Sequence, residues 1–103
     1  MIRTDVKNGI QILNQECVQG IKEHVAPGSV DLVVADPPYF KVIGEKWDYQ
    51  WRSELDYVEW SRGWIEEAAK SLRLGGGFYI FGYFRTLALL IPILEEYGLK
   101  LRQ

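Results

Sequence analysis

One cysteine, one methionine and a single histidine are all that this 103-residue chain has of those residue types. A lone thiol, Cys17, excludes an internal disulfide and a cysteine cluster for zinc. His24 has nothing around it in sequence that suggests a base or a metal site, and no metal is expected. Charge of one sign is also missing. Twelve Lys and Arg stand against fourteen Asp and Glu, a net charge of −2. A phosphate-gripping surface normally brings clustered Lys and Arg, so a nucleic-acid contact would have to be local or lie elsewhere. No apolar run approaches the roughly 18 residues of a membrane span. Met1-Ile2-Arg3-Thr4-Asp5 has no apolar signal-peptide core, so no membrane partner and a cytoplasmic location are expected.

What the chain does have is core-forming material. Hydrophobic residues make up 48% and aromatic residues 14%, which argues against disorder and for one small packed domain. There are no internal repeats. Ile10-Gln11-Ile12-Leu13 reads as a short strand. Val18, Ile21 and Val25 recur at helical spacing, in a helix weakened by Gly20 and ended by Pro27-Gly28. Leu32-Val33-Val34-Ala35 is a β-branched apolar run of the kind covered on both faces in a parallel sheet. It stops at Asp36-Pro37-Pro38, because proline cannot donate to a ladder.

Residues 40–52 are irregular and aromatic, with Phe40, Trp47, Tyr49 and Trp51. Ser53 followed by Asp56 resembles a capping box and opens a helix to about Leu72, with Tyr57, Trp64, Ala68 and Leu72 on its apolar face. Gly75-Gly76-Gly77 reads as a helix-to-strand turn, and Phe78-Tyr79-Ile80-Phe81 as a buried strand. Thr86 to Tyr97 predicts a third helix, bent or restarted by Pro92 and closed by Gly98. Leu99-Lys100-Leu101 then predicts one more strand. The order β-α-β-α-β-α-β predicts an open α/β sheet. Ligands in such sheets bind beyond the carboxyl ends of the strands, where Asp36 to Tyr39 sit, with Gly82-Tyr83 expected beside them.

Asp36-Pro37-Pro38-Tyr39 suits one kind of chemistry. The lone pair of an exocyclic amine on a nucleobase is delocalised into the ring. To be alkylated, the nitrogen must be drawn toward tetrahedral geometry by acceptors aimed at its N–H groups. The Asp36 carboxylate offers one acceptor and the Pro37 carbonyl another. Two prolines with φ near −65° set the direction of that carbonyl in advance. Tyr39 offers a flat face for an unpaired base, and Phe40 a second apolar wall; a base inside a duplex has to be flipped out first. The plainer reading of Asp-Pro-Pro is a turn signal. Its place, directly after a buried-type strand and before an aromatic loop, favours the chemical one.

The chain resembles the DNA N6-adenine and N4-cytosine methyltransferases of bacterial restriction–modification systems. The likeness runs through Ser29 to Tyr39, Trp47-Asp48, Tyr57-Val58-Glu59-Trp60, and Leu72-Arg73-Leu74-Gly75-Gly76-Gly77 into Phe78-Tyr79-Ile80-Phe81-Gly82. It implies a Rossmann-like α/β fold with a mostly parallel sheet, incomplete in this chain. The implied activity is S-adenosylmethionine-dependent methylation of an amino group in double-stranded DNA. Asp36 at the first motif position resembles the adenine-type enzymes. The implied catalytic set is Asp36, Pro37, Pro38 and Tyr39. Glu16, at the end of the first strand, stands where the family usually carries an acidic residue that meets the cofactor's adenosine end. Glu16, Cys17 and Asp36 are thus the cofactor candidates, although Cys17 also reads as a small buried hydrophobe. Tyr39, Phe40, Lys41 and Lys46 are the substrate candidates; Arg52 and Arg85 read as ordinary solvated charges.

The family's Gly-rich cofactor loop, which follows a strand, has no counterpart here: Gly75-Gly76-Gly77 precedes one. In the permuted class of the family the catalytic motif comes first. The resemblance therefore implies that residues 1–103 are the N-terminal catalytic portion of a methyltransferase domain, with the cofactor-loop and target-recognition regions absent. Such a portion would leave a gap in the sheet between the strand before Glu16 and the strand before Asp36. The partners expected are DNA, in the intact enzyme, and a second copy or a complementing C-terminal half. RNA and protein-glutamine methyltransferases with a similar motif place the cofactor loop before it, which the short N-terminus here disfavours. A non-catalytic remnant that folds by docking to a partner is the alternative of another class.

Overall fold

The computed structural model describes residues 2–5, 8–38 and 51–102. Seven elements follow one another: β1 (Ile2–Asp5), β2 (Ile10–Leu13), α1 (Cys17–His24), β3 (Val30–Ala35), α2 (Glu54–Ser71), β4 (Leu72–Ile80) and α3 (Phe84–Glu96). Helices and strands mix as expected for a partial Rossmann-like α/β unit. The order opens, however, with a hairpin. β1 pairs antiparallel with β2, Ile2 opposite Leu13 and Asp5 opposite Ile10. The signal for it is Asn8-Gly9, a hairpin dipeptide, with Gly9 at φ 70°.

β3 and β4 form a separate parallel pair. β2 does not pair with β3, which is the gap that the resemblance implies. Parallel neighbours need a crossover, and α2 provides it. Ser53 caps α2: its Oγ accepts from the Asp56 N–H at 3.2 Å. Tyr57, Ser61, Trp64, Ile65 and Ala68 recur at helical spacing and are buried. This stripe packs with Leu90 and Ile93 of α3, against Val18 and Ile21 of α1 and Val33, Ala35, Phe78 and Ile80 of the sheet. Arg62 of α2 pairs with Glu96 of α3, and the Gly28 N–H donates to the Lys70 carbonyl at 2.9 Å, tying the α1–β3 turn to the end of α2.

Four expectations need correction. Gly75-Gly76-Gly77 is not a turn before the strand, because β4 begins directly after α2 at Leu72. The glycines form a bulge within β4: Val30 pairs with Leu72 but Leu32 with Gly77, so two steps along β3 match five along β4. Gly75 takes φ 80°. At Gly76 a Cβ would lie 2.8 Å from the Leu72 Cγ, so only glycine fits as the chain stands. Second, among the described residues β3 is covered on one face only. Leu32, Val34, Tyr79 and Phe81, on the other face, are each at least half exposed. Third, Leu99-Lys100-Leu101 is not a strand. No neighbouring strand among the described residues pairs with it. It follows a helix stop in which the Gly98 N–H donates to the Glu95 carbonyl at 3.0 Å and the Leu99 N–H to the Leu94 carbonyl at 3.1 Å, with Gly98 in the left-handed region at φ 85°. Fourth, α3 runs through Pro92 as one helix and starts earlier, at Phe84.

Candidate active site at the end of strand β3

The Asp36 segment leaves β3 where a parallel sheet presents ligands. The ladder continues one step past the paired strands: the Phe81 N–H donates to the Ala35 carbonyl at 2.9 Å. This fixes the peptide immediately before Asp36 and brings Phe81, just before Gly82-Tyr83, beside it. Asp36 is exposed, while Pro37 and Pro38 are half-buried. The Tyr57 hydroxyl of α2 donates to the Pro38 carbonyl at 2.9 Å. Tyr57 is itself fully buried. Its ring stands edge-on to Trp51 at 4.8 Å between centroids, and Trp51 in turn lies 4.7 Å from Trp60. Among the described residues no donor reaches the Pro37 carbonyl. The segment is held on both sides of the one carbonyl that the chemical argument assigns to the amine.

Sequence reasoning placed Tyr57 in the helix's apolar stripe and in the stretch that carries the family likeness, and missed this bond. A signal existed: a buried tyrosine must find a partner for its hydroxyl. Trp51, shortly before α2, lies against that same ring.

Glu16 follows β2, as expected, and its carboxylate caps α1. Oε1 accepts from the Val18 N–H at 3.1 Å, and Oε2 from the Gln19 N–H at 2.9 Å. Such a cap satisfies orphan helix donors. Cys17 is exposed rather than a buried hydrophobe. It is the first residue of α1, whose Val18 and Ile21 pack on the core. Partial burial of the thiol itself, then the Glu16 carboxylate, pushes its pKa up. No ladder bond places Glu16 beside Asp36, since β2 and β3 lie in different sheets. Both Glu16 oxygens are engaged in the cap, and no glycine loop opens a helix after a strand among the described residues. Glu16 and Cys17 are therefore not brought to Asp36 by any strand pairing among the described residues, and the Glu16 oxygens bond to α1 instead. Tyr39, Phe40, Lys41 and Lys46, with Trp47 and Asp48, lie outside the described residues. Among the described residues no group of three or more His, Cys, Asp or Glu is placed to hold a metal ion.

The family model described as DNA methylase, covering N6 and N4 methyltransferases, matches residues 30–103. The chain belongs to this family. It is similar to the type II methyltransferase M.HinfI of Haemophilus influenzae, with 28% identity over 90 residues that cover 74% of this chain and 25% of that protein. It is also similar to the type II methyltransferase M.HpaI of Haemophilus parainfluenzae, with 31% identity over 86 residues, 78% of this chain and 26% of that one. The chain thus spans about a quarter of the length of these relatives.

Proposed function

We propose that this chain carries the amine-binding part of an S-adenosylmethionine-dependent DNA methyltransferase acting on adenine N6. The observation that supports this most is the Asp36–Pro38 segment, held at Ala35 and at Pro38 beyond the end of a parallel strand, within a family match that spans it. In this reading the Asp36 carboxylate accepts one N–H of the flipped adenine, and the Pro37 carbonyl accepts the other. Tyr39 and Phe40 flank the base, and Lys41 and Lys46 meet phosphates. The protein works in the cytoplasm; no helix among the described residues is long and apolar enough to cross a membrane.

A methyl donor and a target-reading surface then come from a complementing segment. Two observations support this. The relatives are about four times the length matched here, and a parallel sheet is ordinarily buried on both faces, whereas Leu32, Val34, Tyr79 and Phe81 leave one face of this one bare. The same bare face favours the second reading, a remnant that folds onto a partner without catalysing.

Asp36→Ala tests the assignment. The carboxylate is needed chiefly in the transition state, so kcat should fall by about 10²–10³ while DNA binding by the complemented enzyme is mostly kept. Retention of more than about a tenth of kcat would refute the role. Absence of methylation by the wild-type chain, with and without the polypeptide encoded immediately downstream, would favour the remnant.

A further inference from the structure

We propose that Tyr57 is a positioning residue for the Asp36–Pro38 segment, its hydroxyl fixing the Pro38 carbonyl so that the Pro37 carbonyl is held toward the substrate amine. The inference deepens the methyltransferase reading and rests on it for the identity of the substrate. Few soft dihedrals remain in the segment. The proline rings fix φ at Pro37 and Pro38. Each residue before a proline is confined to extended ψ, which restricts Asp36 and Pro37. Upstream, the Phe81 N–H holds the Ala35 carbonyl at 2.9 Å. From ψ of Asp36 onward, the soft dihedral left is ψ of Pro38. It sets the direction of the Pro38 carbonyl, while φ of Asp36 lets the whole Asp36–Pro38 unit, Pro37 carbonyl included, turn as one body, so that a bond to the Pro38 carbonyl stops both motions.

The Tyr57 hydroxyl closes that freedom. It donates to the Pro38 carbonyl at 2.9 Å from a ring that is fully buried and braced edge-on by Trp51. A rigid donor on a long helix is a better anchor than a loop side chain. The bond also commits the Pro38 carbonyl to the protein, which separates it from the neighbouring Pro37 carbonyl. Two adjacent carbonyls thus have different jobs, one structural and one for the substrate.

Tyr57→Phe removes the hydroxyl and keeps the ring against Trp51. Hydrogen exchange on the 103-residue chain reads the effect directly. Exchange should rise at least about tenfold at the amides flanking the motif and stay within about twofold in α2 and β4. Ile93→Ala, which weakens the core without touching the hydroxyl, should instead raise exchange throughout. Unchanged exchange at the motif, or a uniform rise in Tyr57→Phe, overturns the proposal. Should Tyr57→Phe fail to fold, proton spectra of the wild-type chain decide. A slowly exchanging tyrosine hydroxyl proton with a nuclear Overhauser contact to Pro38 supports the bond, and its absence overturns it.

In enzyme that methylates DNA, alone or with the polypeptide encoded downstream, Tyr57→Phe should lower kcat by about tenfold, because small misplacements of a reacting group cost rate. KM for DNA should stay within about threefold. An unchanged kcat overturns the positioning role. A wild-type chain that methylates no DNA under either condition overturns the methyltransferase reading instead, and the exchange data then decide whether Tyr57 holds the segment.

Discussion

Replacing Gly76 by alanine should destabilise the chain, while the same change at Gly63 should stabilise it. A Cβ on Gly76 would lie 2.8 Å from the Leu72 Cγ, 2.9 Å from its Cδ1 and 3.0 Å from the Arg73 carbonyl oxygen. The leucine tip can turn away, but Leu72 pairs with Val30 at the start of β4 and the Arg73 oxygen is backbone. Overpacking of this kind costs about 1–3 kcal/mol. For a chain of this size that lowers Tm by about 5–20 °C. Gly63 lies inside α2, and a Cβ there meets nothing within 4 Å. Alanine at that position gains about 0.5–1 kcal/mol through helix propensity and a less flexible unfolded chain. Thermal and urea unfolding followed by circular dichroism would measure both. A Gly76→Ala variant as stable as the wild type would refute the bulge packing and restore the simple turn. A Gly63→Ala variant that is less stable would refute the open surface assigned to that side of α2.

Three further outcomes are expected. Ser53→Ala removes the acceptor for the Asp56 N–H and should cost about 1 kcal/mol in urea unfolding with an unchanged slope. Burial and then Glu16 raise the Cys17 pKa. Its alkylation by iodoacetamide at pH 8 should therefore be slower in the folded chain than in urea, and the rate should inflect at higher pH. By linkage, the thiol's contribution to stability is fully present below its unfolded pKa and is lost as pH rises through the folded value. Calorimetric titration of the isolated chain with S-adenosylmethionine should show affinity no better than about 100 μM, or roughly 5.5 kcal/mol; micromolar binding would show that the chain holds the cofactor without a complementing segment.

Much of the fold was legible because single elements carry their own signals. Ser53 and the stripe from Tyr57 to Ala68 define α2 without reference to the rest of the chain. The run from Leu32 to Ala35 defines β3, and Gly98 defines the end of α3. The misreadings involve features that depend on a partner. A helix, three glycines and a strand look alike in sequence whether the glycines turn or bulge; pairing with Val30 and Leu32 decides it. The apolar pattern of β3 promises cover on both faces, and the described residues supply one. Leu99 to Leu101 has strand composition but no strand to pair with among them.

The site divides the same way. Asp36, Pro37 and Pro38 announce themselves by type and order, because their chemistry is local. That Tyr57 reaches across 19 positions to the Pro38 carbonyl follows only once α2 lies on the sheet. Glu16 was legible as an acidic residue after β2, but its engagement as the α1 cap required the helix to be placed.

In the proposed function the Asp36 motif directs a methyl group to a DNA amine. Mass-spectrometric nucleoside analysis tests it most directly. Plasmid DNA would be prepared from a methylation-deficient host expressing the chain together with the polypeptide encoded immediately downstream. N6-methyladenine is expected in that DNA, with no N4-methylcytosine and with loss of the signal in Asp36→Ala. N4-methylcytosine alone would contradict the assignment to adenine. Methyl groups found only in RNA or protein, or N6-methyladenine that survives Asp36→Ala, would contradict the claim itself.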